Sequence, residues 1–434
     1  MSAGNARLKG LALIVLPAIA LIAVTFWIAS RYVEPAPPHH IVMTTGNELG
    51  AYHKFGRKYA DILAKSGITL ELKTSAGTIQ NIARLNDLQS GVQVGLVQGG
   101  LAETATSPDL RSLGRTFLEP MWVFYRADLK VTRLADLADR RIAVGPDGSG
   151  TRPLVTTLLA ASGVTASNAT FLGATSAESA QLLADGTVDA IFFTMAAEGD
   201  LVQGLLRTPN INLLSFSQAD AFTRLYPYLF KIVLPAGVID LAANIPATDV
   251  TLLAPAATLV VRKDLHPALV GLLVGAVKEV HSGTGLFQKS NEFPQAVDTE
   301  LPINEDAARY YKNGPPLLQR YLPFWLATFL DRMRIMIIPI AGILLPMSRI
   351  LPMLYQWRIK RRMLYWYDQL KKLERQVRAD KSPERLPEYR AEVQRIEDAV
   401  SVIRIPLAFS DQLYNLRQAI DLVRQRLAAL QAGG

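Results

Sequence analysis

The sequence predicts an α/β globular region set between two membrane-spanning helices and followed by a charged helical tail. Three observations carry this. Between Ile41 and about Gly314, short apolar runs alternate with amphipathic stretches, the pattern of a parallel sheet covered on both faces by helices. Leu11–Ala29 and Ile335–Trp357 are apolar runs of bilayer-crossing length. Beyond Arg358, apolar residues recur at 3-4 spacing among many charges.

Composition narrows the chemistry. Half of the 434 residues are hydrophobic, the net charge is +8, and there is no cysteine. Disulfides, thiolate nucleophiles, zinc–thiolate sites and a lipid-modified N-terminal cysteine are excluded. His39, His40, His53, His266 and His281 are scattered, without helical metal-ligand spacing, so neither a metal nor a cofactor is expected. The basic residues cluster late in the chain, which argues against a nucleic-acid partner.

Residues 1–10 carry Arg7 and Lys9, which place the N-terminus in the cytoplasm. Residues 11–29, interrupted only by Thr25, rise about 28 Å as a helix, close to the hydrocarbon thickness. Trp27 and Tyr32 suit the far interface, so the segment reads as an uncleaved anchor, with a removed signal peptide as the alternative. Residues 30–40 form a proline-rich linker.

In the globular region, Ile41–Met43 reads as a strand, Thr44–Gly50 as a polar turn and Ala51–Lys65 as a helix. Ile68–Leu72, the turn Thr74–Gly77, the helix Thr78–Gln89 and the strand Val92–Val97, closing on Gln98, follow. The pattern then repeats. Ile142–Arg152 parallels Ile41–Tyr52, Leu182–Thr194 parallels Leu85–Gln98, and Leu259–Leu265 (LVVRKDL) parallels Val123–Leu129 (VFYRADL). Paired stretches in consistent order suit two lobes joined by two chain crossings.

The stretch Arg141–Arg152, RIAVGPDGSGTR, organises the second half. A buried strand runs into a glycine turn and then a helix. Freed N–H groups and the positive dipole end of such a helix make an anion site. Ser149 and Thr151 add hydroxyls, and Arg152 adds a planar fork suited to a carboxylate. The plainer alternative is a tight turn with a surface arginine, paired with Asp147 or Glu178. Ligands of open α/β folds sit beyond the carboxyl ends of the strands. The pocket should therefore draw Thr45, Asn47, Tyr52, Ser75, Gly77, Thr78 and Gln98 from one lobe, and Gly148, Ser149, Gly150, Thr151, Arg152 and Thr194 from the other. Glu48 and Asp147 would repel an anion and belong at the rim. No nucleophile, base and orienting group come together in this set, so a binding protein is expected rather than an enzyme.

Residues 315–334 are rich in aromatics and suit an interfacial segment. Residues 335–357 form the second expected span, with Pro339, Pro346, Pro352 and Arg349 inside it. Arg358, Lys360, Arg361 and Arg362 follow and fix that end inside; the alternative is an amphipathic re-entrant or core helix. Residues 358–434 form a cytoplasmic tail with two seams, Leu386, Tyr389, Val393, Ile396, Val400 and Leu413, Leu416, Ile420, Val423, Leu427, Leu430. Ser382-Pro383-Glu384 marks a helix start. A folded-back bundle is expected, with self-association through the seams as the alternative.

Several strings together resemble one family: TTG…AY after the first strand, SAGTIQNIARL, GLVQ, RIAVGPDGSGTR, DAIFFT, PAGVID, LVVRKDL and LPINEDAARYYK. Over Ile41 to about Lys312 the chain resembles the TAXI-type solute receptors of TRAP transporters, which are periplasmic binding proteins. The resemblance implies a two-lobed, type II-like periplasmic-binding-protein fold holding a small organic anion of the amino acid or dicarboxylate class. Lobe one would be 41–126 and 253–314, lobe two 127–240, and the hinge 241–252. It also implies a periplasmic main domain at the inner membrane and a TRAP-type permease or other membrane partner. The first turn departs from the family: TTGNELGAYHKF places Asn47, Glu48 and Leu49 where the family is close to TGGTGGTYYP. Family members are usually secreted, and the tail has no counterpart in a simple receptor. A second function is therefore also expected as an alternative, a receptor-derived assembly protein acting through its tail.

Overall fold

Parallel strands buried on both faces need unbroken apolar runs, and the strands at 41–43 and 94–97 have them. Strand β1 (His40–Thr44) pairs in parallel with β2 (Thr69–Lys73) and β3 (Val94–Gln98). Ile41, Met43, Val94 and Leu96 are fully buried. Helices Ala51–Ala64 and Thr78–Asn86 make the crossovers. The computed structural model describes residues 20, 23–27, 31, 35–380, 382–403 and 410–432. The chain divides into two compact units, Pro35–Asp331 and a second made of Met1–Glu34 with Arg332–Gly434.

The remaining strands are β4 (Leu110–Leu118), β5 (Met121–Arg126), β6 (Arg141–Ala143), β7 (Thr170–Leu172), β8 (Ala190–Thr194), β9 (Ile211–Leu213), β10 (Leu229–Leu234) and β11 (Val250–Arg262). The main path through the sheet is β2-β1-β3-β11-β5-β8-β6-β7. Residues 35–331 thus adopt the expected two-lobed α/β fold, with β11 common to both lobes. Its first half pairs antiparallel with β10 and meets β5 at Leu253↔Met121. Its second half pairs antiparallel with β3 and β4. In lobe two, β6 lies between β7 and β8, parallel to both.

The crossings fall at other positions than the sequence suggested. β5 pairs with β8 and β9, so residues 121–126 belong to lobe two and the first crossing is Glu119–Pro120. The second lies within β11 near Pro255, because residues 250–255 still pair with β10 of lobe two. The Glu119 N–H donates to the Pro255 carbonyl at 2.9 Å, so the two crossings lie side by side. Residues 241–252 are not the hinge. They hold a surface turn closed by Asp240 and Ile245, followed by the start of β11. Both crossings contain a proline, which lacks a ladder donor and suits a strand that changes partner.

The C-terminal segments also differ from expectation. Helix Phe324–Ala379 is continuous over 56 residues. The interfacial segment, second span and start of the tail, expected as separate pieces, share this helix from residue 324 onward. Pro339, Pro346 and Pro352 do not end it. Among the described residues no helix is long and apolar enough to cross a membrane. The long helix mixes Arg332 and Arg349 with its apolar residues and then enters the Arg358–Arg362 cluster. The first expected span, 11–29, lies largely outside the described residues.

Both tail seams point inward. Met363, Leu370, Leu373 and Val377 from the long helix form one buried cluster with Tyr389, Val393, Ile396 and Val400 of helix Leu386–Ser401 and Leu416, Ile420 and Leu427 of helix Ser410–Ala432. This is a folded-back bundle, stabilised by burial of the seams. Leu413 and Leu430 are only partly buried at its edge. The helix start at Ser382 is a short turn in which the serine side chain makes no capping bond. Pro406 lies outside the described residues.

Candidate functional site

The carboxyl ends of β1, β2 and β3 face those of β6 and β8 across the lobes, and the loops there meet backbone to backbone. A Cβ on Gly77 would lie 3.1 Å from the Ser149 Cα and 3.3 Å from the Gly148 carbonyl. A Cβ on Gly150 would overlap the Gln98 Oε1 and lie 3.1 Å from the Thr78 hydroxyl. Glycine permits this closeness, and at Gly77 and Gly148 it also supplies the positive φ (139° and 78°) that the turns require.

At this meeting point lie Thr78 and Gln98, only 2 % and 3 % exposed. The Gln98 N–H donates to the Thr78 hydroxyl at 3.1 Å. Its side-chain Nε2 is buried with no hydrogen-bond partner. An amide donor left unpaired in a protein interior is costly and rare in native structures. On the lobe-two side, the hydroxyls of Thr151 and Thr194 are 3.0 Å apart.

Tyr52 opens the first helix and is nearly buried. Its hydroxyl donates to Oε2 of Glu119 at 2.9 Å. Burial pushes the Glu119 carboxyl up to about 7, against the lowering effect of the Tyr52 bond. Burial and the neighbouring carboxylate raise the Tyr52 phenol well above its ordinary value. Glu119 was not among the residues expected from sequence. The signal that could have found it is a lone acid in FLEPMWVF, between two apolar strands.

Other expected residues have scaffold roles here. The Thr45 hydroxyl bonds His53 Nδ1 at 3.1 Å and the Lys73 carbonyl at 3.2 Å. Ser75 donates to the Thr45 carbonyl and to Asn81 Oδ1 at 2.9 and 2.7 Å. Asn81, fully buried, also accepts from Thr44 and donates to the Leu96 carbonyl, tying the ends of β1 and β3 to the second loop. Asn47 is exposed at the rim. With Glu48, Leu49, Thr74, Ser75, Ala76 and Gln80 it lines an open groove of about 530 Å³. Ser149 closes its own turn, donating to the Pro146 carbonyl at 2.7 Å.

Arg152 does not reach toward lobe one. Its Nη1 lies 3.3 Å from the Gly145 carbonyl and 3.3 Å from Asp147 Oδ1, against Gly173 of its own lobe. In this arrangement Arg152 pairs with Asp147 of its own turn, which is largely exposed. A helical side chain leans toward the N-terminus of its helix, which aims Arg152 back at the turn. Glu178 instead caps its own helix with Thr175.

A second lobe contact flanks the first. Gly100, after β3, sits against the Tyr228 ring. The Gly100 N–H donates to Glu300 Oε1 at 2.5 Å. Burial pushes Glu300 up to about 7, and burial foremost pushes the Tyr228 phenol up to about 12.

Solved structures with some likeness are distant. A Bordetella bronchiseptica RB50 protein is 18 % identical with a TM-score of 0.39, over 56 % of this chain and 70 % of its own. The alkanesulfonate-binding protein from Xanthomonas axonopodis pv. citri bound to MOPS is 16 % identical with a TM-score of 0.36, over 56 % and 74 %. The periplasmic aliphatic sulphonate binding protein from Escherichia coli is 14 % identical with a TM-score of 0.36, over 71 % and 83 %. The sequence model of the NMT1-like family matches residues 43–314, and the chain therefore belongs to the NMT1-like family.

Proposed function

We propose that residues 35–331 form a solute receptor whose two lobes close on a small organic anion of the amino acid or dicarboxylate class. The observation that carries this reading is Gln98: a buried, unpartnered amide donor placed where two glycine loops from opposite lobes meet. A ligand oxygen would satisfy it, and Thr78, Thr151 and Thr194 would complete the polar lining. The protein binds and hands on; it is not an enzyme.

In this reading the receptor is a TAXI-like component of TRAP-type uptake or of sensing. The apolar segments 11–29 and 335–357 hold it at the inner membrane, with the main domain periplasmic and both termini cytoplasmic. The sequence supports the attachment through its apolar runs and the basic residues flanking them. The helical tail is the part that would engage a cytoplasmic partner.

Two experiments test this. In a thermal-shift panel of amino acids, carboxylates and sulfonates, at least one solute should raise the melting temperature of the full chain, by linkage of binding to folding; a flat response across the panel contradicts the receptor. The chain has no cysteine, so a single Thr106→Cys variant labels cleanly. Thr106 is exposed, and an impermeant thiol reagent should reach it in intact spheroplasts. Protection there would place the domain on the other side of the membrane.

A further inference from the structure

Glu119 has a position and a set of neighbours that an anion receptor does not need. It sits on the crossing between the lobes, its backbone fixed by the bond to Pro255. One carboxyl oxygen takes the Tyr52 hydroxyl. Among the described residues no ion pair to Glu119 is found; burial raises its pKa and the Tyr52 bond lowers it. Glu119 is half-buried; a carboxylate drawn largely out of water without a cation is costly, and proteins resolve this with a proton, a counter-charge or a ligand.

The same cluster contains the opposite demand. The Thr78 hydroxyl acts on the Tyr52 phenol. Thr78 also accepts from the Gln98 backbone, whose side-chain Nε2 is buried and lacks an acceptor. Glu119 bonded to Tyr52, and Gln98 bonded to Thr78, are thus two pairs near the lobe boundary, one carrying an acid and the other an unsatisfied donor.

We propose that Glu119, oriented by Tyr52, receives a protonated nitrogen of the ligand, while Gln98 receives its anionic oxygen, so that the cleft selects an amino-acid-like zwitterion over the same acid without its amine. This rests on the receptor reading above and narrows it. A ligand ammonium at Glu119 forms a charge-assisted hydrogen bond in a desolvated site. A ligand lacking it leaves the carboxyl unmatched, and any second carboxylate placed there is repelled.

The test is calorimetric titration of the full chain with matched pairs: alanine and propionate, leucine and 4-methylpentanoate, glutamate and glutarate, taurine and ethanesulfonate. In whichever pair binds, the amine-bearing partner should bind at least about tenfold tighter. Glu119→Gln should reduce that ratio to about twofold without weakening the des-amino partner. Should Glu119→Gln not fold, Glu119→Asp keeps the charge and must keep the direction of the preference. Equal or tighter binding of the des-amino partner, or an unchanged ratio in Glu119→Gln, overturns the assignment and leaves the receptor reading standing. Binding by neither partner of any pair removes the receptor reading itself, and this assignment with it.

Discussion

Gly150→Ala should weaken solute binding by roughly five- to a hundredfold while leaving each lobe folded, as read by calorimetry beside a melting curve. The backbone at Gly150 has φ −72° and ψ −27°, a conformation that alanine adopts freely. The substitution therefore carries no local strain. The three atoms nearest its added carbon all lie in the opposite lobe, where it would overlap Gln98 Oε1 and press on the Thr78 hydroxyl. Overpacking of this kind costs about 1–3 kcal/mol. That cost falls on the closed state alone, and apparent affinity falls with the population of that state. Gly148→Ala is a poorer probe, because φ is 78° there and the turn itself would strain. Gly204→Ala is the control: a Cβ there meets nothing within 4 Å, so affinity should hold.

The second large effect is a pH dependence of stability. Glu119 titrates near 7 in the folded protein and ordinarily near 4.5. The folded state therefore binds the proton more tightly than the unfolded one. The associated stability is fully present below pH 4.5 and is lost as pH rises through about 7. A shift of this size corresponds to about 3 kcal/mol as an upper figure. Glu300 acts in the same direction. His281 opposes them, because burial pushes its pKa down to about 3, so stability from its neutral form grows as pH rises toward 6.5. The informative quantity is accordingly a difference between variants. Relative to Glu119→Gln, the wild type should lose melting temperature between pH 5 and pH 8. A difference that stays constant across that range would mean that the Glu119 carboxyl is solvated.

The residues that proved legible in the sequence share a physical reason. Parallel strands buried on both faces read as apolar runs, so β1, β3 and β8 and the polar residues closing them, Gln98 and Thr194, stand out. The glycine turn before Thr151 was legible because positive φ at Gly145 and Gly148 restricts the residue type. The tail seams were legible from their period alone. Arg152 was not, because its direction depends on a rotamer and on Asp147, which no spacing reports. Glu119 was not, because its partner Tyr52 is 67 residues away and the pair exists only once the chain has crossed between lobes. The unity of helix 324–379 was not legible, because its charged residues at 332–334 and 358–362 read as boundaries between an interfacial segment, a span and a tail, whereas the helix continues through them. The crossings were not legible because the parts of β5 and β11 nearest them, Met121–Phe124 and Leu252–Ala257, are apolar, and only Pro120 and Pro255 mark the change of partner.

Closure of the two lobes on a solute is the central claim, and an interlobe distance measures it most directly. Lys65 follows the helix that leads away from the cleft in lobe one, and Ser167 lies in the loop beyond helix Thr151–Ala161 in lobe two; both are exposed or partly exposed. With no native cysteine, Lys65→Cys with Ser167→Cys can carry a spin-label pair for pulsed dipolar spectroscopy. Without solute, the distance distribution should be broad or contain two populations. With a solute from the thermal-shift panel at saturation it should narrow to one, and Gly150→Ala should block that narrowing. A single sharp distance, identical with and without every solute that binds and unchanged by Gly150→Ala, would contradict the account.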